Sequence, residues 1–360
     1  MSAFALDPGL AAWLDAAATG LDTGAMDPAE PVPHLAAAGV FEAGVPREAG
    51  GAGGDVTDAV EAIAAVSERS LAAGFVAWGQ RTFVEYLLQS PNAGLRERLL
   101  ADVVAGRVAG ATGMSNAMKF LSGLEELQVR ARPDGVGWRL DGKLPWVTNL
   151  RAQGFHAAAA VAGPDGAFCV SLPHDAPGLV RSPDLDLMAM RATSTAAVAL
   201  SDVPVGPEHV LHPHAASWLP RVRPAFLGMQ CGMSIGLARR SLAEAGTYIG
   251  AAARHVLRDD VTERARALRH AEKALRDGLR AGIFEARPAS LFQIRIDLAG
   301  IAAAAVALEL QASGGRAYLS GPGEGFARRW REAAFVPVIT PSLVQLRAAL
   351  ADQAAPGRAA

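Results

Sequence analysis

The stretch Leu127-Gln-Val-Arg-Ala-Arg-Pro-Asp-Gly-Val-Gly-Trp-Arg-Leu-Asp-Gly-Lys-Leu-Pro-Trp-Val-Thr-Asn149 is where the chain changes its period. Leu127, Val129 and Ala131 alternate with Gln128, Arg130 and Arg132, which sends apolar side chains to one face of a strand and polar ones to water. Asp134-Gly135 is the residue pair of a tight hairpin turn. Gly137 to Leu140 then reads as the returning strand, and further strand-like runs follow at Phe155 to Ala162, Ala167 to Leu172 and Thr195 to Leu200. Short strands at this spacing, punctuated by Gly and Pro, predict a compact β-barrel or sandwich of about 100 residues.

On either side the period is helical. From Ala11 to Arg107 apolar residues recur at helix spacing, as in Val60, Ile63, Ala64, Val66 and then Phe75, Trp78, Phe83, Tyr86, Leu87. The glycine cluster Gly50-Gly51-Ala52-Gly53-Gly54 interrupts this zone as a loop, and Asp55 and Thr57 after it can cap the next helix. Beyond Leu219 the candidate helices are Pro224 to Ile249, Thr262 to Ala281, Ser290 to Ala312 and Gly325 to Phe335. Small residues from Ala299 to Ala307 let helices approach closely, and the tail after Asp352 is expected to fray. The expected fold is therefore α+β. It has an N-terminal helical domain at residues 1–108, a middle β-domain at 109–215 and a C-terminal helical bundle at 216–360.

Composition narrows the function classes. Hydrophobic residues make up 51% of 360 and charged residues 19%, enough apolar material for a large core and too little charge for a disordered chain. Lys plus Arg number 34 against 36 Asp plus Glu, so no basic excess points to nucleic acid or an anionic membrane. Cys169 and Cys231 both lie in apolar stretches and read as buried free thiols. The first twenty residues carry Asp7 and Asp15 and lack a basic n-region, so no signal peptide is expected. The run Leu298 to Leu308 spans about half of a membrane crossing, and the expectation is a cytoplasmic protein.

Most motif candidates are weak. The glycine cluster lacks the Gly-Lys-Ser/Thr or βαβ setting of a phosphate cradle. His209, His212 and His214 lie among Pro204, Pro207 and Pro213 and do not follow a zinc-site order, so no metal is expected. Gly232-Met-Ser-Ile-Gly236 has the Gly-x-Ser-x-Gly spelling, but it lies inside the candidate helix Pro224 to Ile249 and not at the strand-to-helix turn of a nucleophile elbow. Trp146-Val147-Thr148-Asn149 is more informative: an indole beside a hydroxyl can stack on a flat ring and donate a hydrogen bond to it. By itself the run also fits an ordinary aromatic of a β-core.

Four runs taken in order resemble the acyl-CoA dehydrogenase superfamily. Gly44-Val-Pro-Arg-Glu-Ala-Gly-Gly-Ala-Gly53 is similar to its Gly-x-Pro-Glu-x-x-Gly-Gly-x-Gly loop, and Asp141-Gly-Lys-Leu-Pro-Trp-Val-Thr-Asn149 to its Asn-Gly-x-Lys-x-Trp-Ile-Thr-Asn segment, with the lysine one place early. Leu187-Met-Ala-Met-Arg-Ala-Thr-Ser-Thr195, then Val203-Pro-Val-Gly-Pro-Glu208, resembles the Leu-Gly-x-Arg-x-Ser-x-Thr strand and the Val-Pro loop after it. Gln311-Ala-Ser-Gly-Gly-Arg-Ala-Tyr318 is similar to the Gln-x-x-Gly-Gly-x-Gly-Tyr turn.

The resemblance implies a helical domain, a β-domain and a four-helix bundle holding FAD, in a homodimer or homotetramer. It places Trp146 and Thr148 beside the isoalloxazine near N5, and Met114 and Ser115 on its pyrimidine side. Gln311, Gly314 and Gly315 would meet the FAD of a neighbouring subunit, Arg254 its pyrophosphate, and Ser342 is counted among the cofactor contacts. The implied reaction is α,β-dehydrogenation of an acyl thioester on CoA or a carrier protein, with electrons passing to a separate acceptor.

The base is where the pattern breaks. Thr340-Pro341-Ser342 stands where the family has Glu-Gly-Thr, and Phe226 occupies the alternative position. A carboxylate from elsewhere, Glu85 or Glu332, is a candidate, although both also read as charges on solvated helix faces. A flavin-dependent monooxygenase on the same fold, which needs no α-base, is the alternative function, and ligand binding without turnover is a third.

Overall fold

The computed structural model describes residues 4–250 and 254–354. The N-terminal layer comprises α1 (Pro8–Thr23), α2 (Pro31–Ala37), α3 (Val56–Ser67), α4 (Leu71–Gln89) and α5 (Ala93–Val104). All but α2, which starts on Pro31, begin where a side chain satisfies a free N–H of the first turn. Asp7 accepts from Leu10 N, Ser70 from Ala73 N, and Asp55 shares a reciprocal capping box with Asp58. The loop carrying the glycine run is pinned at its start: Arg81 donates from Nε to the Ala43 carbonyl and from Nη2 to the Gly44 carbonyl, both at 3.0 Å, and Gly53 N donates to the Val45 carbonyl at 2.8 Å. Gly44 has φ +70°, and a Cβ there would lie 2.2 Å from the Asp55 carbonyl oxygen, so only glycine fits.

The middle layer holds β1 (Ala109–Thr112), α6 (Ser115–Leu121), β2 (Val129–Asp134), β3 (Gly137–Val147), β4 (Phe155–Gly163), β5 (Gly166–Pro173), β6 (Leu179–Arg181), β7 (Ala196–Val205) and β8 (Val210–His212). They form one eight-stranded sheet in the order β6-β7-β3-β2-β4-β5-β8, with β1 parallel to the start of β4. The quoted hairpin has the expected register, Asp134 opposite Gly137 and Val129 opposite Gly142. β3 runs past Leu140 to Val147 because an irregularity between Leu140 and Gly142 lets the pairing with β7 resume. The sheet curls around its own core, where Leu140, Val147 and Val198 pack with Phe155, Val161 and Val170.

The C-terminal layer contains α7 (Ala215–Tyr248), α8 (Arg258–Arg280), α9 (Ile283–Ala286), α10 (Pro288–Ser313), α11 (Glu324–Phe335) and α12 (Leu343–Ala354). α7 starts nine residues before Pro224, where the sequence pattern placed its beginning, and carries Pro220 and Pro224 inside it. Trp218, Leu219 and Val222 are fully buried there, and that burial offsets the local cost of the prolines. α7 lies close on α3: a Cβ on Gly236 would meet the Ala64 carbonyl oxygen at 2.2 Å. Arg239 ties α7 to Glu61 of α3 at 2.6 Å and to Glu272 of α8 at 3.0 Å.

By length and composition Pro288–Tyr318 and Glu324–Gln353 would each suffice for a membrane crossing, which corrects the shorter estimate drawn from Leu298 to Leu308. In the fold α10 buries its apolar residues against α7 and α8. Cys169 and Cys231 are buried and unpaired, and burial pushes the Cys231 thiol up to about 12. α12 covers Asp352 to Ala354, where fraying was expected, and residues 355–360 lie outside the described residues.

Candidate active site

A cavity of about 530 Å3 opens where the three layers meet, within the range of about 300–1,000 Å3 usual for small-molecule sites. α4 contributes Phe75 and Trp78, α7 Phe226, and α11 Arg331 and Phe335. The aromatic wall is preorganised: Trp78 donates from Nε1 to the Phe226 carbonyl at 3.2 Å, and its ring meets Phe75 and Phe226 at 5.4 and 5.1 Å. The middle layer contributes Thr112, Ser115, Lys119, Trp146, Thr148, Thr193, Thr195 and the loop Leu187–Met190.

Backbone strain collects at this edge. Asn149, Met190 and Ser194 all have positive φ, at 65°, 56° and 47°, each costing on the order of 1–3 kcal/mol. Hydrogen bonds hold them. Asn149 Nδ2 donates to Gln80 Oε1 at 2.7 Å and to the Gly110 carbonyl at 2.9 Å, and Met190 N donates to Asp22 Oδ1 at 3.0 Å. Asp22, 1% exposed, also accepts from Arg331 Nε at 2.9 Å, so one buried carboxylate joins α1, α11 and the Met190 loop.

Trp146 is 59% exposed although it lines the cavity, an apolar ring face left open beside a row of hydroxyls. Thr148 Oγ1 lies 3.1 Å from Thr195 Oγ1, and the Tyr86 hydroxyl holds Thr112 Oγ1 at 3.0 Å. A flat, hydrogen-bonding heterocycle fits this donor set: one face for stacking, hydroxyls for its edge, aromatic side chains to exclude water.

The charges are one-sided. Among the described residues lining the cavity there is no Asp, Glu or His. Lys119 is paired with Glu125 at 2.7 Å, and Arg331 with Asp22. Neither proposed alternative base reaches the cavity. Glu85 accepts from Arg81 at 3.0 Å and Gln89 at 2.7 Å on its own helix. Glu332 is fully buried and accepts from Leu71 N at 3.0 Å and Arg328 Nη1 at 2.8 Å, with burial raising its carboxyl above the usual range. The expectation of a solvated Glu332 is thereby corrected: it closes the join between α11 and the start of α4.

The cavity brings together Ser115, Trp146, Thr148, Thr340 and Ser342 from the residues singled out by sequence. The Thr340 carbonyl accepts from Gln230 Nε2 at 3.1 Å, and Ser342 and Gln345 bond each other's backbone N–H. Met114 is buried just before α6, behind the wall. Arg254, Gln311, Gly314 and Gly315 gather elsewhere, at the C-terminal end of α10, where Arg254 Nη2 donates to the Ser313 carbonyl at 3.4 Å. The histidines of the Pro-rich run do not assemble: His212 stacks on Trp218, and no group of three potential metal ligands occurs among the described residues. Asp22 and Arg331 were not singled out by sequence, because 309 residues separate them.

Residues 12–107 match the family described as acyl-CoA dehydrogenase, N-terminal domain. The whole chain is similar in structure to glutaryl-coenzyme A dehydrogenase in complex with glutaryl-CoA, at 18% identity and TM-score 0.81, covering 98% of this chain and 97% of that one. Butyryl-CoA dehydrogenase from Megasphaera elsdenii is similar at 17% identity and TM-score 0.82, over 98% and 100% of the two chains. Dibenzothiophene monooxygenase from Paenibacillus sp. A11-2 is similar at 19% identity and TM-score 0.75, over 96% and 94%. Identities this low carry the fold alone. No curated protein matches the chain in sequence.

Proposed function

We propose that the chain is a flavin-dependent oxidoreductase of the monooxygenase kind within the acyl-CoA dehydrogenase superfamily, a reading supported by the family match of residues 12–107 and by the shared fold. One observation carries the choice: no carboxylate or imidazole among the described residues lines the cavity. Removing an α-proton from an acyl thioester needs a base within hydrogen-bond reach, and such a base contributes about 10²–10⁴-fold. Oxygen chemistry needs none at that position.

A bound flavin, FAD in this reading, supplies two-electron redox chemistry. Trp146 offers the stacking face, and Thr148 and Ser115 offer polar contacts to the ring edge. Phe75, Trp78, Phe226 and Phe335 keep water from the reacting atoms and favour an apolar substrate group. Asp22, through Met190 N and Arg331, holds the loop that closes the cavity. The corner of Arg254, Gln311, Gly314 and Gly315 is assigned to a second copy of the chain, in a homodimer or homotetramer.

A second reading, dehydrogenation of an acyl thioester on CoA or a carrier protein with transfer to an electron acceptor, is favoured by the family match of residues 12–107. Two measurements on the flavin-loaded protein decide between them. Saturated acyl thioesters should fail to bleach the flavin anaerobically, and the pre-reduced protein should insert ¹⁸O from labelled oxygen into an apolar substrate. Rapid bleaching by a thioester would replace the first reading by the second. Folded protein that binds no flavin would overturn both.

A further inference from the structure

Three threonine hydroxyls in the cavity wall form a chain in which a single order of hydrogens makes all three bonds. Thr193 Oγ1 lies 2.9 Å from the Met190 carbonyl oxygen, Thr195 Oγ1 lies 2.8 Å from Thr193 Oγ1, and Thr148 Oγ1 lies 3.1 Å from Thr195 Oγ1. A carbonyl cannot donate, so Thr193 gives its single hydrogen to Met190. Thr193 has then only lone pairs to offer Thr195, which must donate to it. With that hydrogen committed, Thr148 must in turn donate to Thr195. The backbone keeps the partners in place: Asn149 N donates to the Thr193 carbonyl and Leu150 N to the Ser194 carbonyl, both at 3.0 Å. All three side chains line the cavity and are at most 5% exposed, so water does not readily substitute for a lost partner.

Taking the flavin reading above as its basis, we infer that Thr148 faces the ligand as a hydrogen-bond acceptor and that the cavity is set to hold reduced flavin in preference to oxidised. This reverses the donor role expected of Thr148 from sequence. In that flavin reading Thr148 meets the ring at N5, which is bare and accepting in oxidised flavin and carries a donating hydrogen in the reduced ring. To serve the oxidised ring Thr148 must turn its hydrogen away from Thr195, leaving a buried bond unmade. Thr193 is the positioning residue: it fixes the order from the Met190 end through the other two hydroxyls. The form so favoured is the one that reacts with oxygen.

The test is the ratio of dissociation constants for oxidised and photoreduced flavin, measured anaerobically, together with the midpoint potential of the bound flavin. Thr193→Val removes the anchor, allowing Thr195 to donate to Thr148 and Thr148 to donate into the cavity. The preference for the reduced form should fall by about three- to tenfold, as for one hydrogen bond, which lowers a two-electron potential by about 15–30 mV. Thr195→Val should act in the same direction, and Thr193→Ser, which keeps the hydroxyl, should restore the wild-type ratio. A merely structural defect would weaken both forms alike and would not be rescued in this way. An unchanged ratio in flavin-binding Thr193→Val and Thr195→Val refutes the hydroxyl order while leaving the flavin reading intact. Failure of wild type to bind either form removes the flavin reading and this inference with it.

Discussion

Replacing Thr340 by glutamate introduces a carboxylate into a cavity whose described lining has none. The site is suited to the change. Thr340 lines the cavity, its carbonyl is held by Gln230 Nε2 at 3.1 Å, and a cavity of about 530 Å3 accommodates the longer side chain without displacing the wall. Phe226 and Ile339 line the same cavity, and their apolar surface should raise the new carboxyl by desolvation toward neutral pH, where general base catalysis is most effective. A positioned base contributes about 10²–10⁴-fold, equivalent to roughly 3–5 kcal/mol of barrier. Thr340→Glu should therefore reduce its flavin with a saturated acyl thioester at least about a hundredfold faster than wild type, in anaerobic stopped-flow bleaching. The rate should rise with pH as the new carboxyl ionises, and Thr340→Gln should stay at the wild-type level. If folded, flavin-loaded Thr340→Glu reduces no faster than wild type at any pH tested, the missing base is not what separates this cavity from a desaturase.

Further outcomes follow from the packing and charges. Asp22→Ala leaves Met190 N without its partner and Arg331, about a third exposed, without its ion pair, and should cost about 1–3 kcal/mol in urea unfolding; a loss below about 0.5 kcal/mol would contradict the bridging role. Burial pushes the His156 imidazole down to about 4 from its ordinary 6.5, so between those values the unfolded chain binds a proton that the folded one refuses. Its contribution is intact above about pH 6.5 and should be lost as pH falls toward 4, by up to about 3 kcal/mol, a slope that His156→Gln should flatten in unfolding curves measured across that window. Gly44→Ala forces a Cβ against the Asp55 carbonyl at a positive φ and should destabilise by about 2–4 kcal/mol, read from the thermal or urea midpoint.

Periodicity alone separated a β-layer from two helical layers, because alternation and helical spacing are local consequences of backbone geometry. The hairpin at Gly135 and the caps at Asp55 and Asp58 are equally local, each made by residues within a few positions of one another. Trp146 and Thr148 were legible as a candidate ring-binding run because they are neighbours on one short segment. Where a decision needed distant partners, local pattern misled. The helix expected to begin at Pro224 begins at Ala215, and the burial of Trp218, Leu219 and Val222 carries it through both prolines.

The chemistry of the site belongs to tertiary structure. Glu85 and Glu332 are acids in any reading of the sequence, and only packing turns one into a partner for Arg81 and the other into a buried brace for α4. Thr193 and Thr195 stood within a recognised run, but the order of their hydrogens follows from the Met190 carbonyl at one end and Thr148 at the other. Local order is encoded within a few residues, whereas protonation, donor direction and access depend on which distant groups share a water-free space. The sequence determined the three layers and marked Trp146 and Thr148 as candidates; the fold decided that both line one cavity whose described wall holds hydroxyls and paired cations and no carboxylate or imidazole.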